Sequence, residues 1–371
     1  MLRNLILGVF LGLVAAPATG QTQVGVRGGT GLSSVSTTPR TLSVLLQSGR
    51  SEGLPIHWTT LDAVLLQRDG GFRSFEMDEL RSHQLLEEPF TPQSLPEARG
   101  QLAAELGVGF ETIVAAPYVI AAPRGSAARW QERFTRLQAG YWRYFEVRGW
   151  PLRKPDFPLI VIVFPDRASF LRYASTQVGS LPDQAVGCYF PRSNRCILYQ
   201  IGHSKHTDWS ATEATVVHEA IHQLAYNTGV HERLFENPLW FVEGLATMFE
   251  ESAVYDTRAA RSAITDRMNA SMLARLRPML ADPVALEQKV HSLITSDDFY
   301  RSNALDAYAL GWAMTFTVAE RMPREFGDYI QLQTRRGMGQ YSAGQRQADF
   351  RDAFHTSPDM LAYQMRKLLG N

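Results

Sequence analysis

Residues 210–250 decide the fold of this chain, and at their centre stands His218-Glu-Ala-Ile-His222. Two histidines four positions apart lie on one face of a helix, one turn apart, so both imidazoles can reach the same metal ion. Glu219, between them, lies close to the same site and is placed to act as a base. The spacing therefore predicts a metal centre with His218 and His222 as ligands.

The residues around this motif favour a helix. Ser210-Ala-Thr-Glu213 has the pattern of a capping box, which predicts a helix that begins at about Ala211. Asn227-Thr-Gly229 is a typical stop signal. Apolar residues recur between these ends at helical spacing: Ala214, Val217, Ile221 and Leu224.

A third ligand is predicted 21 positions after His222. A catalytic zinc normally takes three protein ligands and keeps one position for water. Asn237-Pro-Leu-Trp-Phe-Val-Glu243 begins with a cap-like Asn and a Pro, which predicts a second helix that carries Glu243. The class of zinc site with a third histidine needs Gly at position 225 and His at 228. The chain has Ala225 and Thr228, which excludes that class.

The first 20 residues predict export. An arginine, an apolar run of twelve residues from Leu5 to Ala16, and small residues up to Gly20 form the pattern of a secretory signal peptide. Cleavage is expected near Gly20, and an uncleaved anchor is the alternative. The run is too short to span a bilayer, and we expect a periplasmic or extracellular chain without a transmembrane segment.

Composition narrows the class of partner. The chain has 371 residues, of which 45% are hydrophobic, as in an ordinary globular protein. Lys+Arg and Asp+Glu are both 37, so the formal net charge is zero. A neutral chain lacks the basic surface of a dedicated nucleic-acid binder or of a polybasic membrane binder.

Turn residues and hydrophobic periods divide the rest of the chain. Residues 21–40 read as a disordered linker, 41–85 as a small β-barrel-like module, 100–255 as an α/β lobe that contains both ligand helices, and 256–371 as a helical lobe. An aromatic stripe predicts a helix over 126–148. The C-terminal pattern predicts one over 345–369.

The two cysteines, Cys188 and Cys196, flank a Pro-Arg-Ser-Asn turn between two β-like arms. In an exported protein, two nearby cysteines usually form a disulfide. We expect a hairpin in which Cys188 lies opposite Cys196 and is bonded to it.

The motif resembles that of the gluzincin metallopeptidases, which have His-Glu-x-x-His and a Glu on a second helix. More closely, His218-Glu-Ala-Ile-His-Gln-Leu-Ala-Tyr-Asn-Thr-Gly229 with Leu239-Trp-Phe-Val-Glu-Gly-Leu-Ala-Thr247 is similar to the DUF1570 group of exported bacterial proteins. The resemblance covers about residues 100–370 and is clearest over 185–251. It implies a zincin-like α+β fold with a mixed-sheet N-terminal lobe and a helical C-terminal lobe, and one bound zinc ion. It implies no particular substrate.

The resemblance also suggests two supporting residues. Gluzincins often place a carboxylate against the first histidine at the position of Thr247, so Thr247 is a candidate to orient His218, with ordinary packing as the alternative. Glu250 is expected to be solvated. Related zinc peptidases stabilise the oxyanion with a Tyr or His from a later helix, which makes Tyr308 a candidate, again with core packing as the alternative.

The expected function is that of a zinc-dependent peptidase acting on peptides or proteins, with Glu219 as general base. A hairpin at 186–199 is the candidate edge strand for an extended substrate. The alternatives are a non-catalytic zinc-containing envelope binding protein on the same fold, and a helical protein with a chance motif. An intact Glu219 favours the enzyme, and the third ligand argues against chance.

Overall fold

A computed structural model describes residues 39–177, 185–200, 210–256, 263–336 and 341–370. The predicted signal peptide and nearly all of the predicted linker lie outside the described residues. The fold is mixed α+β, with two β-sheets in the N-terminal part and a helical C-terminal part. Among the described helices, none combines the length and the hydrophobicity needed to cross a bilayer.

Residues 40–89 form a five-stranded antiparallel sheet, which we call the β module. Its strands are β1 (Arg40–Leu46), β2 (Gly49–Trp58), β3 (Asp62–Leu66), β4 (Phe72–Glu76) and β5 (Leu80–Pro89), in the order β4-β3-β2-β1-β5. Leu42, Val44 and Leu46 alternate along β1 and pack on one face against Ala63, Leu65 and Phe75. The module therefore has a small core of its own.

A second five-stranded sheet carries the rest of the N-terminal part. Its strands are β6 (Phe110–Ala115), β7 (Tyr118–Pro123), β8 (Leu159–Phe164), β9 (Gly187–Phe190) and β10 (Arg195–Tyr199), in the order β6-β7-β8-β10-β9. The pairs β7–β8 and β8–β10 are parallel, and the two outer pairs are antiparallel. The short strand β9 is therefore an edge of this sheet.

Helices cover both faces of the second sheet. They are α1 (Leu95–Leu106), α2 (Ala127–Glu146), α3 (Arg167–Gln177) and α4 (Ser210–Thr228). Successive residues of β7 point to opposite faces, so Ile120 packs in the cluster with α2 and α4, while Val119 packs with α1 and α3. The helix predicted over 126–148 is confirmed as α2. Helix α4 lies against β9 and β10, with its histidine-bearing face turned away from solvent.

The C-terminal part is helical. It contains α5 (Leu239–Phe249), α6 (Ser252–Tyr255), α7 (Ala270–Leu280), α8 (Pro283–Thr295), α9 (Asp298–Ser302), α10 (Ala304–Arg321), α11 (Pro323–Thr334), α12 (Ala343–Phe354) and α13 (Pro358–Leu369). The single helix predicted over 345–369 is wrong, because the chain turns at His355, which has φ +49°. Pro358 then starts a new helix at its first position.

Helices α5 and α10 pack unusually closely, at two glycines. A Cβ on Gly244 would lie 2.2 Å from Thr315 Oγ1 and 2.3 Å from the carbonyl oxygen of Gly311. Thr315 also donates a hydrogen bond to the carbonyl oxygen of Trp240 (3.0 Å). This contact brings α10 beside the helix that carries Glu243.

The predicted disulfide between Cys188 and Cys196 is wrong, because both cysteines are free and buried. In the β9–β10 hairpin, Cys188 lies opposite Ile197 and Cys196 opposite Tyr189, one residue away from the predicted register. Since side chains alternate along a strand, this shift puts the two thiols on opposite faces of the sheet. Thiols that point in opposite directions cannot be bridged.

Candidate metal centre

Three side chains from two helices meet in the interior. His218 and His222 come from successive turns of α4, and Glu243 comes from the second turn of α5. All three are buried, with at most 2% of each residue exposed. Their ligand atoms lie within 4.8 Å of one another, so the structure brings together the predicted ligand set.

The distances within this group fit a metal ion. Nε2 of His218 and Nε2 of His222 are 3.0 Å apart, and Oε2 of Glu243 lies 3.2 Å from the first and 3.6 Å from the second. Ligands at about 2.0–2.1 Å from a tetrahedral ion are separated by roughly 3.3 Å. Glu243 Oε1 is buried without a hydrogen-bond partner. The convergent nitrogens and the unpaired carboxylate oxygen suit a cation held by two imidazoles and a carboxylate.

The opposite charges of the histidines and the glutamates in this group stabilise each other. Burial lowers the pKa of His218, but hydrogen bonds and charges from Glu243 and Glu250 outweigh burial and raise it to about 10. Burial raises the pKa of Glu243, but the charge of His222 and hydrogen bonds from both histidines bring it down to about 2. Without a metal, the site therefore retains a proton on His218. A metal ion must displace that proton, so metal binding weakens as the pH falls.

Glu250 orients the first histidine, contrary to the expectation that it is solvated. Its side chain is 4% exposed, and its Oε1 lies 2.9 Å from Nδ1 of His218. Asn269 holds the other oxygen by donating to Oε2 from its Nδ2 (3.1 Å). Such a carboxylate fixes the imidazole tautomer that leaves Nε2 for the metal.

Thr247 does not fill this role. Its hydroxyl is buried and has no hydrogen-bond partner in the structure. The carboxylate that orients His218 comes instead from Glu250, three residues later, at the position that caps the C-terminus of α5. The helix ends there, and the side chain at its end is free to turn back toward α4.

Glu219 is buried next to the ligands, but its carboxylate is bonded to the edge strand β9. The backbone N–H of Tyr189 on β9 donates a hydrogen bond of 2.7 Å to Glu219 Oε2. Burial raises the pKa of Glu219, while His218 and His222 act to lower it. The carboxylate is therefore held by the edge strand, beside the metal group and outside it.

Tyr308 on α10 lies beside the first ligand. Its ring centroid is 6.5 Å from that of His218, and the ring packs edge-on against Tyr300 at 5.4 Å. The residue is 6% exposed. The structure therefore brings Tyr308 to the metal centre, and its role in oxyanion stabilisation stays a prediction.

His231 is a neighbour of the site that no motif or spacing in the sequence indicates. It lies in the loop after α4, packed between the rings of Tyr226 and Phe241. Both its ring nitrogens are buried without a hydrogen-bond partner. Burial and the nearby charge of His222 lower its pKa to about 3. The turn at Gly229 (φ +83°) folds the loop back onto α4, where the N–H of His231 donates to the carbonyl oxygen of Ala225 (3.0 Å).

His203 and His206, which precede α4 in the sequence, lie outside the described residues.

The site falls within a known family segment. The model of a family described as "Protein of unknown function (DUF1570)" matches residues 212–338, from the first turn of α4 to just beyond α11. The match includes the three ligands, Glu219, Glu250 and Tyr308. A search of curated proteins finds no match. The segment that carries the candidate metal centre is thus similar to the DUF1570 family of proteins of unknown function.

Proposed function

We propose that this protein is an exported zinc-dependent peptidase of the gluzincin type, which hydrolyses peptide bonds. The observation that carries the proposal is one buried site where two imidazoles and a carboxylate converge, with an uncoordinated carboxylate, Glu219, beside them. Two imidazoles and one carboxylate form a ligand set of catalytic zinc sites. The export part rests on the sequence of residues 1–20.

Each residue has a distinct task in this proposal. His218, His222 and Glu243 hold the ion, and Glu250 keeps the imidazole of His218 in its metal-binding orientation. Zinc in such a site activates water and polarises a carbonyl group.

Glu219 moves the proton. Its Oε2 is held by the N–H of Tyr189, which leaves Oε1 to accept the proton of the attacking water and to pass it to the leaving nitrogen. Burial raises the pKa of this carboxyl, which makes it a stronger base than a solvated glutamate. We propose that Tyr308, beside His218, stabilises the developing oxyanion.

We further propose that the substrate lies along β9. This strand is an edge of its sheet, so one row of its backbone groups pairs with no other strand, and in that row the N–H of Tyr189 holds Glu219. An extended peptide that adds to such an edge passes close to Glu219, because Tyr189 of the same strand already contacts that carboxylate. This position favours a peptide substrate over a small molecule.

The test compares the parent with Glu219→Gln, which keeps the size of the side chain but removes the base. Both proteins are expected to bind one zinc ion. Cleavage of a broad peptide library should fall by about 10²–10⁴-fold in the variant. Glu146→Gln, an exposed change at the end of α2, is the matched control and should cleave at the parent rate.

Two outcomes would contradict the proposal. A Glu219→Gln variant that cleaves at the parent rate would exclude this glutamate as the base. A parent protein that binds one zinc but cleaves no peptide would favour the alternative, a non-catalytic zinc-containing binding protein.

A further inference from the structure

The turn between β3 and β4 of the β module, which we call the module tip (residues 69–72), contacts the lobe that holds the metal centre. Gly70 has φ +84°, and a Cβ added there would lie 2.9 Å from the ring of Phe157 and 3.2 Å from Asn194 Nδ2. The N–H of Phe72 donates a hydrogen bond of 2.8 Å to the carbonyl oxygen of Arg192, in the β9–β10 turn. The tip therefore packs against the β9–β10 hairpin, which contains the edge strand β9.

Arg233 joins the tip and the hairpin from a third segment, the loop between the two ligand helices. Its Nη2 donates to the carbonyl oxygens of both Gly70 and Pro191 (2.6 Å each), and its Nε also reaches Pro191 (2.8 Å). The guanidinium lies 4.3 Å from the centre of the Phe72 ring. The planar group thus links two turns that are more than a hundred residues apart in the chain.

Side-chain hydrogen bonds also join the β9–β10 turn to α4, the helix that carries His218 and His222. Asn194, in the turn, has no exposed surface, and its side-chain amide exchanges two hydrogen bonds with that of Asn227 (2.7 and 2.9 Å). Gln223, one turn after Glu219 on α4, donates to the carbonyl oxygen of Asn194 (3.0 Å). The Tyr189 hydroxyl donates to Asn194 Oδ1 (2.9 Å).

The last contact in this series reaches the base. Tyr189 also supplies the N–H that holds Glu219 Oε2. Contacts thus run from the module tip to the β9–β10 turn, partly through Arg233 at Pro191, and from Asn194 in that turn to Tyr189 and Glu219. The Tyr189–Asn194 hydrogen bond lies within the hairpin, and the other contacts join segments distant in sequence.

We propose that the β module is a brace for the active site, and that Arg233 is a positioning residue that fixes the β9–β10 hairpin and, through Tyr189, the general base. The catalytic part of this inference rests on the proposed function, whereas the bracing of the hairpin does not. Besides its pairing with β10, β9 is held to α4 by the Tyr189–Glu219 hydrogen bond and, through the turn, by Asn194. The module tip and Arg233 add contacts at Pro191 and Arg192, in the part of the hairpin turn that no strand of the sheet contacts.

The experiment uses the full chain and two independent substitutions at the contact. Arg233→Ala removes the donor shared by the carbonyl groups of Gly70 and Pro191. Gly70→Ala puts a Cβ where the ring of Phe157 lies, at a φ that L-residues rarely adopt. The matched control is Arg81→Ala, an exposed arginine on β5, at the far end of the module's strand order from β4.

The first readout is amide hydrogen exchange over residues 186–199, which needs no enzymatic activity. We expect faster exchange of this hairpin in both contact variants, with zinc content and overall fold retained, and parent behaviour in Arg81→Ala. Parent-like exchange in both contact variants would overturn the brace. If one contact variant fails to fold, the other decides.

The second readout is cleavage. A displaced base lowers kcat more than it changes KM, and we expect kcat to fall by about 10–100-fold in the contact variants. Faster hairpin exchange with an unchanged kcat would overturn the positioning of Glu219. A parent protein that cleaves nothing would refute the proposed function, and the exchange experiment would still decide whether the module braces the hairpin.

Discussion

Removing the Glu250 carboxylate is expected to weaken zinc binding. Glu250 holds Nδ1 of His218 at 2.9 Å, and both side chains are buried, so Glu250→Ala removes the acceptor that orients this imidazole. Loss of a partner that orients a metal-binding histidine costs about 10–100-fold in metal affinity. At 1.4 kcal/mol for each factor of ten, this loss corresponds to about 1.4–2.8 kcal/mol.

The size of the effect depends on pH in a predictable direction. Glu250 stabilises the protonated His218 as well as the metal-bound one, and the pKa of His218 without metal is raised to about 10. Below that pH, Glu250→Ala weakens the binding of the competing proton to His218 as well as the binding of the metal. The two losses partly cancel in the measured zinc affinity. We therefore expect a larger loss of zinc affinity at pH 9 than at pH 7.

The assay is competition for zinc with a chromophoric chelator, with Glu250→Gln and Thr247→Val as companions. Gln keeps an acceptor without the charge, so its affinity should lie between those of the parent and Glu250→Ala. Thr247→Val removes a buried hydroxyl that has no partner, and should leave zinc affinity unchanged. The reasoning fails if Glu250→Ala binds zinc like the parent at both pH values, or if Thr247→Val loses as much affinity as Glu250→Ala.

Three further outcomes are expected. Without reductant, Cys188 and Cys196 should resist a thiol reagent in the folded protein and both react after unfolding; unreactive thiols in the unfolded chain would indicate a disulfide. His231 is buried in its neutral form, with its pKa lowered from 6.5 to about 3, so the unfolded chain binds the extra proton between these values. The free energy of unfolding should therefore fall more between pH 6.5 and 4.5 in the parent than in His231→Phe, as measured by urea titration; equal losses would contradict this account. Gly244→Ala should lower the free energy of unfolding by about 1–3 kcal/mol through overpacking. The control is Gly100→Ala in α1, where the added Cβ meets no atom within 4 Å, and it should raise the free energy of unfolding by up to about 1 kcal/mol. If thermal unfolding does not separate the two variants, the tight contact between α5 and α10 is contradicted.

The sequence by itself determined the parts of the site that depend on local spacing. His218 and His222 share a face because an α-helix repeats every 3.6 residues, and no tertiary contact is needed to infer it. Glu243 could be assigned because a catalytic metal needs a third ligand and because the Asn237-Pro pair predicts a second helix nearby, which the structure begins at Leu239. The aromatic stripe likewise predicted a helix over 126–148, which the structure contains as α2.

Only the tertiary structure decided which groups surround those ligands. Glu250 turns back to His218 because α5 ends at that residue, and His231 enters the site because the loop after α4 folds inward. The hairpin register, which separates Cys188 from Cys196, is set by which faces of β9 and β10 the two helical layers bury. Glu250 and His218 are 32 residues apart, and side-chain periodicity within one element carries no information about such a contact.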